Sequence, residues 1–206
     1  MQFKICHPAK FFTLTELIVC IIKRRGMTIQ EIKITQNRIA VIIGKGGKTK
    51  RQIEKKTKTK VEVDSEEGMI SIESEDPVAV LKAVDIVQAI NRGFSPERAF
   101  TLLEDEDIIL EIIDLGPHCN SPKQMERLRG RIIGKEGKSR EQIENMTGAE
   151  ISVYGKTVAV IGEVDQVKTA MAAIEMLIEG LSHESVFSYL DKKKKEAKTN
   201  ILEYYY

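Results

Sequence analysis

Two stretches of this chain have the residue types and spacing to hold phosphate. The first is Ile42-Ile43-Gly44-Lys45-Gly46-Gly47-Lys48-Thr49-Lys50-Arg51-Gln52-Ile53-Glu54, and the second is Ile132-Ile133-Gly134-Lys135-Glu136-Gly137-Lys138-Ser139-Arg140-Glu141-Gln142-Ile143-Glu144. They lie 90 residues apart and agree at nine of thirteen positions. In each, two glycines bracket a bend, so the backbone can approach an anion without a Cβ in the way. The helix expected after the bend aims its free N-terminal amides at the same place. Lys45, Lys48, Lys50 and Arg51 add positive charge in the first copy, as do Lys135, Lys138 and Arg140 in the second. This is chemistry for gripping a phosphate backbone. Glu136 departs from the pattern, because its charge opposes phosphate.

Other phosphate-binding motifs fail on spacing. Gly47-Lys48-Thr49 and Gly137-Lys138-Ser139 look like the end of a nucleotide-binding P-loop, but that motif requires a glycine five positions earlier. Ile42 and Ile132 stand there instead. A dinucleotide fingerprint fails as well, since Thr49 occupies its third glycine position. A bare glycine turn with no ligand is the bland alternative for one copy. Two copies with matched apolar and basic flanks argue against it. Catalysis has little support: His7, His118 and His183 are scattered, and the acid run at 104–107 reads as a solvated linker. No cofactor is expected.

The elements that must position the loops follow one order, used twice. Alternation over residues 28–35 predicts a strand, 37–43 a short helix stopped by the glycine loop, and 47–57 a basic helix with Ile53 turned inward. Residues 60–64 and 69–73 predict a hairpin turned at 66–68, and Asp76-Pro77 opens a helix carrying Val80, Val84, Val87 and Ile90 at helical spacing. The second unit predicts a strand at 107–115, helices at 122–133 and 137–147, a hairpin from 149–154 and 157–162, and a last helix at 163–180. Each unit is thus β-α-α-β-β-α. Each is followed by Gly-x-Ser signals, at Gly93 to Ser95 and Gly180 to Ser182, that end one helix and cap another. The expected domains are 27–106 and 107–191, each with an appended helix, then a loosely held basic tail at 192–206, in which the run Lys192–Lys195 reads as a solvated helix face, with phosphate contact the minority reading.

Composition agrees with a soluble globular chain of two units. Of 206 residues, 42% are hydrophobic and 31% charged, and the net charge is +1. The charge is segregated: residues 45–60 hold eight bases against Glu54, and 104–114 hold six acids and no base. Cys6, Cys20 and Cys119 have no metal-ligand or disulfide spacing, so neither a metal site nor a disulfide framework is expected, and a reducing cytoplasm fits. The apolar run at 11–22 contains Glu16 and is too short to span a bilayer. Arg24-Arg25-Gly26 before Met27 would be encoded by a ribosome-binding sequence if read as AGG-AGG-GGN. We therefore expect translation to start at Met27, with 1–26 an over-extension; an N-terminal helix packed on the first domain is the alternative.

The paired Ile-Ile-Gly-x-x-Gly segments with basic flanks resemble the KH module, which holds about four nucleotides of single-stranded nucleic acid in a groove beside the loop. The resemblance implies an α+β fold of two tandem type I KH domains. Within KH proteins, Lys50 and Arg140, three positions after the second loop glycine and followed by Ile53-Glu54 and Ile143-Glu144, resemble the archaeal branch of the ribosome-assembly KH family that partners a PIN-domain endonuclease. That resemblance implies a non-enzymatic protein that binds the 3′ region of small-subunit rRNA, assists its processing, and meets the endonuclease and other assembly factors. The RNA-binding residues it implies are Gly44, Lys45, Gly46, Gly47, Lys48, Lys50, Arg51, Gly134, Lys135, Glu136, Gly137, Lys138 and Arg140. The competing classes are a general RNA-binding factor in translation or decay, and a protein scaffold with one KH unit inactive.

Overall fold

A computed structural model describes the backbone of residues 20–24 and 26–205 and the side chains of residues 26–196. Strand β1 (Cys20–Arg24) pairs antiparallel with β2 (Met27–Lys33). Helices α1 (Gln36–Ile43) and α2 (Lys48–Thr57) follow, then the hairpin β3 (Lys60–Asp64) and β4 (Met69–Ser74), then α3 (Pro77–Asn91). The sheet order is β1-β2-β4-β3. The second unit repeats the plan: β5 (Ile108–Asp114), α5 (Pro122–Ile133), α6 (Lys138–Thr147), β6 (Glu150–Tyr154), β7 (Thr157–Glu163) and α7 (Val164–Glu179), with sheet order β5-β7-β6. Between the units lies α4 (Pro96–Ala99), and α8 (His183–Tyr205) ends the described chain.

Local chemistry explains these elements. The Asp76 carboxylate accepts a hydrogen bond from Val78 N at 2.9 Å, with Pro77 in the first turn, so α3 starts where its orphan amides are satisfied. Val80, Val84, Val87 and Ile90 recur at helical spacing and all are buried. At the start of α7, Glu163 and Gln166 form a reciprocal capping box. In the hairpin of the first unit, Val61 turns inward while Lys60 pairs outward with Glu62 at 2.7 Å and Glu73 at 3.0 Å.

Two expectations change. The helix expected after Ser95 is only α4, continued by a 3-10 turn at Phe100–Leu103. Residues 192–195, read as a solvated helix face, are exposed on α8, which runs through them without a break. Lys, Glu and Ala are strong helix formers, and Lys192 and Lys193 each pair with Glu196 one turn on, at 3.9 and 2.9 Å. At the other end, residues 20–24 form a strand and not a helix. The remainder of the N-terminal expectation, residues 1–19 and 25, lies outside the described residues.

The two units share an interior. In the first unit the sheet packs one face on its helices. The second sheet is covered on both faces: Ile151, Val158 and Val160 join its own helices, whereas Ala159 and Ile161 join the core of the first unit together with Ile108, Leu110 and Ile112. The contact tightens around Gly93, just beyond α3. A Cβ there would stand 2.6 Å from Ser152 Oγ and 2.9 Å from Tyr154 Cβ. Ser152 Oγ donates to Arg92 O at 2.9 Å, and Arg98 pairs with Glu150 at 3.6 Å.

Candidate nucleic-acid interface

The two glycine loops fold alike. Each joins the end of one helix to the start of the next, α1 to α2 and α5 to α6, through a single 3-10 turn at Lys45–Gly47 and Lys135–Gly137. No strand enters either loop, as a P-loop would require. Gly44 and Gly134 sit at φ/ψ of 72°/174° and 74°/179°, a region open essentially to glycine alone. Over residues 41–50 and 131–140 the pattern of burial is the same at every position.

The glycines divide into two roles that the sequence does not separate. A Cβ on Gly44 would stand 2.2 Å from Thr49 Oγ1 and 2.9 Å from Thr49 N; on Gly134 it would stand 2.5 Å from Ser139 Cβ and 2.8 Å from Ser139 N. The first glycine of each loop is therefore required by packing onto the next helix. Gly46 and Gly137 are different: a Cβ on either would meet nothing within 4 Å. At Gly47 the nearest neighbour would be Arg51 Nη2, at 3.5 Å. This open side of the turn is where backbone and ligand can approach each other. Glu136 occupies the place of Gly46 with almost the same backbone, φ/ψ 56°/26° against 59°/27°. A non-glycine residue in the left-handed region costs about 1–2 kcal/mol.

The basic side chains also differ in freedom. Lys45, Lys48 and Lys135 are exposed, and among the described residues no salt bridge engages them. Lys138 pairs with Glu136 at 3.9 Å, so part of its charge is answered within the loop. Arg51 donates to the carbonyl of Gly46 and braces the first loop. Lys50 and Arg140 lie beside Glu54 and Glu144, at 3.9 and 3.7 Å. Those two carboxylates accept backbone hydrogen bonds from Val61 N at 3.1 Å and Ile151 N at 2.8 Å, which fastens each loop-bearing helix to its neighbouring strand. Lys56, one of the eight bases, stands over the Phe100 ring at 4.7 Å. Lys45, Lys48 and Lys135 thus hold exposed positive charge at the loop turns.

One feature of the second unit was not anticipated. A cavity of about 790 Å³ opens beside the N-terminal half of α5, with Asp114, Met125, Glu126, Arg129 and Lys156 in its wall. In the first unit the matching place is filled: Ile39 is buried, and a Cβ on Gly68, in the longer β3–β4 turn, would lie 3.9 Å from its Cδ1. The 90-residue offset puts Arg129 at the position of Ile39, and that exchange was the signal available in the sequence. Among the described residues no group of His, Cys, Asp and Glu is placed to hold a metal ion, and no helix is long and apolar enough to cross a membrane.

Residues 109–195 match the Eukaryotic type KH-domain (KH-domain type I), and residues 29–89 match the KH domain. The sequence is 46% identical over 175 residues to KH domain-containing protein MJ0443 of Methanocaldococcus jannaschii, covering 83% of this chain and 76% of that protein. It is similar to a chain from the crystal structure of an a/eIF2alpha-aDim2p-rRNA complex of Pyrococcus horikoshii, with 52% identity, a TM-score of 0.77, and coverage of 82% of this chain and 96% of that one. Pre-rRNA-processing protein pno1 of Aspergillus fumigatus is 32% identical over 120 residues, 57% of this chain and 47% of its own length, so this chain spans about half of that relative. Both halves are matched, and MJ0443 is similar along most of its length: the chain belongs to the KH-domain protein family, with two tandem KH domains and PNO1-like character in the second.

Proposed function

We propose that this chain binds single-stranded rRNA through both glycine loops, in the 3′ region of small-subunit (16S) rRNA, and so assists processing of that end and assembly of the subunit. The observation that carries the reading is the pair of superposable loop turns, each open on one side and each presenting a free lysine, Lys45 and Lys135. Such a turn accepts a phosphate backbone without reading sequence; base edges beside it supply specificity. We assign RNA contact to Gly46, Gly47, Lys45 and Lys48 in the first domain, taken as residues 27–106. In the second, residues 107–191, we assign it to Lys135, Gly137 and Lys138, with Glu136 weakening the grip. Gly44 and Gly134 shape the turns, Arg51 braces the first, and Lys50 and Arg140 add charge from beside a carboxylate.

The relatives support the rRNA reading: one carries pre-rRNA processing in its name, and another is the subject of a complex with rRNA. The role is one of holding RNA, with cleavage supplied by a partner; the family resemblance makes that partner a PIN-domain endonuclease. A filter-binding titration of the full chain against an oligomer of the rRNA 3′ end and its scrambled form tests the proposal. Tighter binding to the true sequence is expected. Equal binding to both would make the chain a general RNA binder, and binding to neither would leave a protein scaffold.

A further inference from the structure

Arg38 lies on α1, the helix that leads into the first loop, and it does not belong to the repeated plan. The equivalent residue of the second unit is Leu128, part of that unit's interior. The Arg38 guanidinium donates from Nε to Ile90 O at 2.7 Å and from Nη2 to Phe94 O at 2.6 Å, so it closes the end of α3. The second unit achieves the same local fastening with another residue, Arg131, which donates to Leu181 O, the carbonyl equivalent to that of Phe94. Arg38 goes further. Its guanidinium stands 5.6 Å from the centre of the Tyr154 ring, on β6 of the other unit. From there a continuous series of contacts reaches the second loop. Tyr154 and Ser152 clasp Gly93 and Arg92, Ile151 beside them is bonded to Glu144, and Glu144 lies on α6, directly after the second glycine turn.

We infer that Arg38, Gly93, Ser152 and Tyr154 act together as a positioning device. They fix the separation of the two glycine loops, and thereby select RNA by the number of nucleotides between its two gripped segments. The inference rests on the proposed RNA binding. Its physical basis is that a rigid pose raises the effective concentration of the second site only for a linker that matches the span. Coupling along a chain of contacts is demonstrated only when breaking a link changes the coupled property. None of the four residues lies in either loop. Arg38 is half-buried, and its pKa is lowered from the ordinary value, chiefly by desolvation.

Two measurements on the full chain test this. In the first, RNAs carry two four-nucleotide segments of the rRNA 3′ end joined by spacers of graded length, and affinity is read by fluorescence anisotropy. The natural protein should show one sharp optimum. Tyr154→Ala and Arg38→Met should flatten it, with at least a fivefold loss at the optimal spacer and less than a twofold change for a single four-nucleotide RNA. Tyr154→Phe keeps the ring and should restore the optimum. Arg131→Met, which cuts only the local fastening of the second unit, should leave the optimal spacer length where it was. In the second, spin labels on cysteines introduced at Lys45 and Lys135, with Cys6, Cys20 and Cys119 replaced by serine, report the distance between loops without RNA. A narrow distribution should broaden in Tyr154→Ala. An unchanged spacer profile or an unchanged distribution in that variant overturns the positioning role alone. Failure of the natural protein to bind even the single segment overturns the RNA reading, and the spacer inference with it.

Discussion

The most informative single substitution is Gly46→Glu, which gives the first loop the sequence character of the second. The backbone at the two positions differs by only 3° in φ and 1° in ψ, and Glu136 shows that a glutamate is accommodated there. A Cβ at Gly46 meets no atom within 4 Å, so no steric term arises. The folding cost is then the left-handed conformation, about 1–2 kcal/mol, reduced by about 0.4–1 kcal/mol because the unfolded chain loses the freedom of glycine. A net loss near 1 kcal/mol lowers the Tm by roughly 2–4 °C for a chain of this size. The electrostatic effect falls on RNA. A carboxylate ~6 Å from a phosphate costs about 0.7 kcal/mol in bulk water and about twice that at half the dielectric constant. Affinity should therefore fall about three- to tenfold at moderate salt. If the new carboxylate also draws Lys48 away from phosphate, as Glu136 draws Lys138, the slope of log affinity against log salt should shrink by about 0.7. Thermal melts and anisotropy titrations at several salt concentrations measure both. A Tm loss above 10 °C would show that the loops are not interchangeable, and an unchanged affinity and salt slope in a folded variant would show that the first loop does not face phosphate.

Other substitutions separate the parts of the site. Gly44→Ala should behave in the opposite way to Gly46→Glu, losing about 3 kcal/mol or more of stability through forbidden backbone geometry and the collision with Thr49; denaturant unfolding measures it. Glu144→Ala strands the amide of Ile151 and should cost about 1–3 kcal/mol, whereas Glu144→Gln keeps an acceptor and should cost less than half as much in the same unfolding assay. Strand length is a further test: RNA of about eight nucleotides or more should bind far more tightly than a tetramer, and an anisotropy series that levels off at four or five would show one groove in use.

Much of this architecture was legible from residues. The order of elements followed from the alternation at residues 60–64, from Asp76-Pro77, and from the stripe Val80, Val84, Val87 and Ile90, all of which is local chemistry. The loops were legible because glycine and lysine recur at fixed spacing. The division of labour among the glycines was not, because it depends on which face of each turn meets Thr49 or Ser139, a tertiary fact. The run at 192–195 was legible as a solvated helix face, and α8 carries it with all four lysines exposed. The junction between domains escaped because Arg38 and Tyr154 are far apart in sequence and outside the repeated segment. One signal was present: β5 reads Ile-Ile-Leu-Glu-Ile-Ile-Asp, apolar on both faces, whereas β2 reads Met-Thr-Ile-Gln-Glu-Ile-Lys and buries only Gln30 and Ile32, on one face. A strand apolar on both sides needs cover on both sides.

That doubly covered sheet has a consequence for how the protein is made. The face carrying Ile108, Leu110, Ile112, Ala159 and Ile161 has its complement in a unit that leaves the ribosome earlier. At ~5–20 residues per second, the 90-residue spacing of the repeats gives the first unit roughly 5–20 s of head start. The receiving surface is therefore in place when the later sheet emerges, and the apolar face is exposed only briefly during synthesis. In refolding from denaturant both halves start together and that protection is lost. The second half expressed by itself would carry the same face uncovered, making it the fragment prone to aggregate.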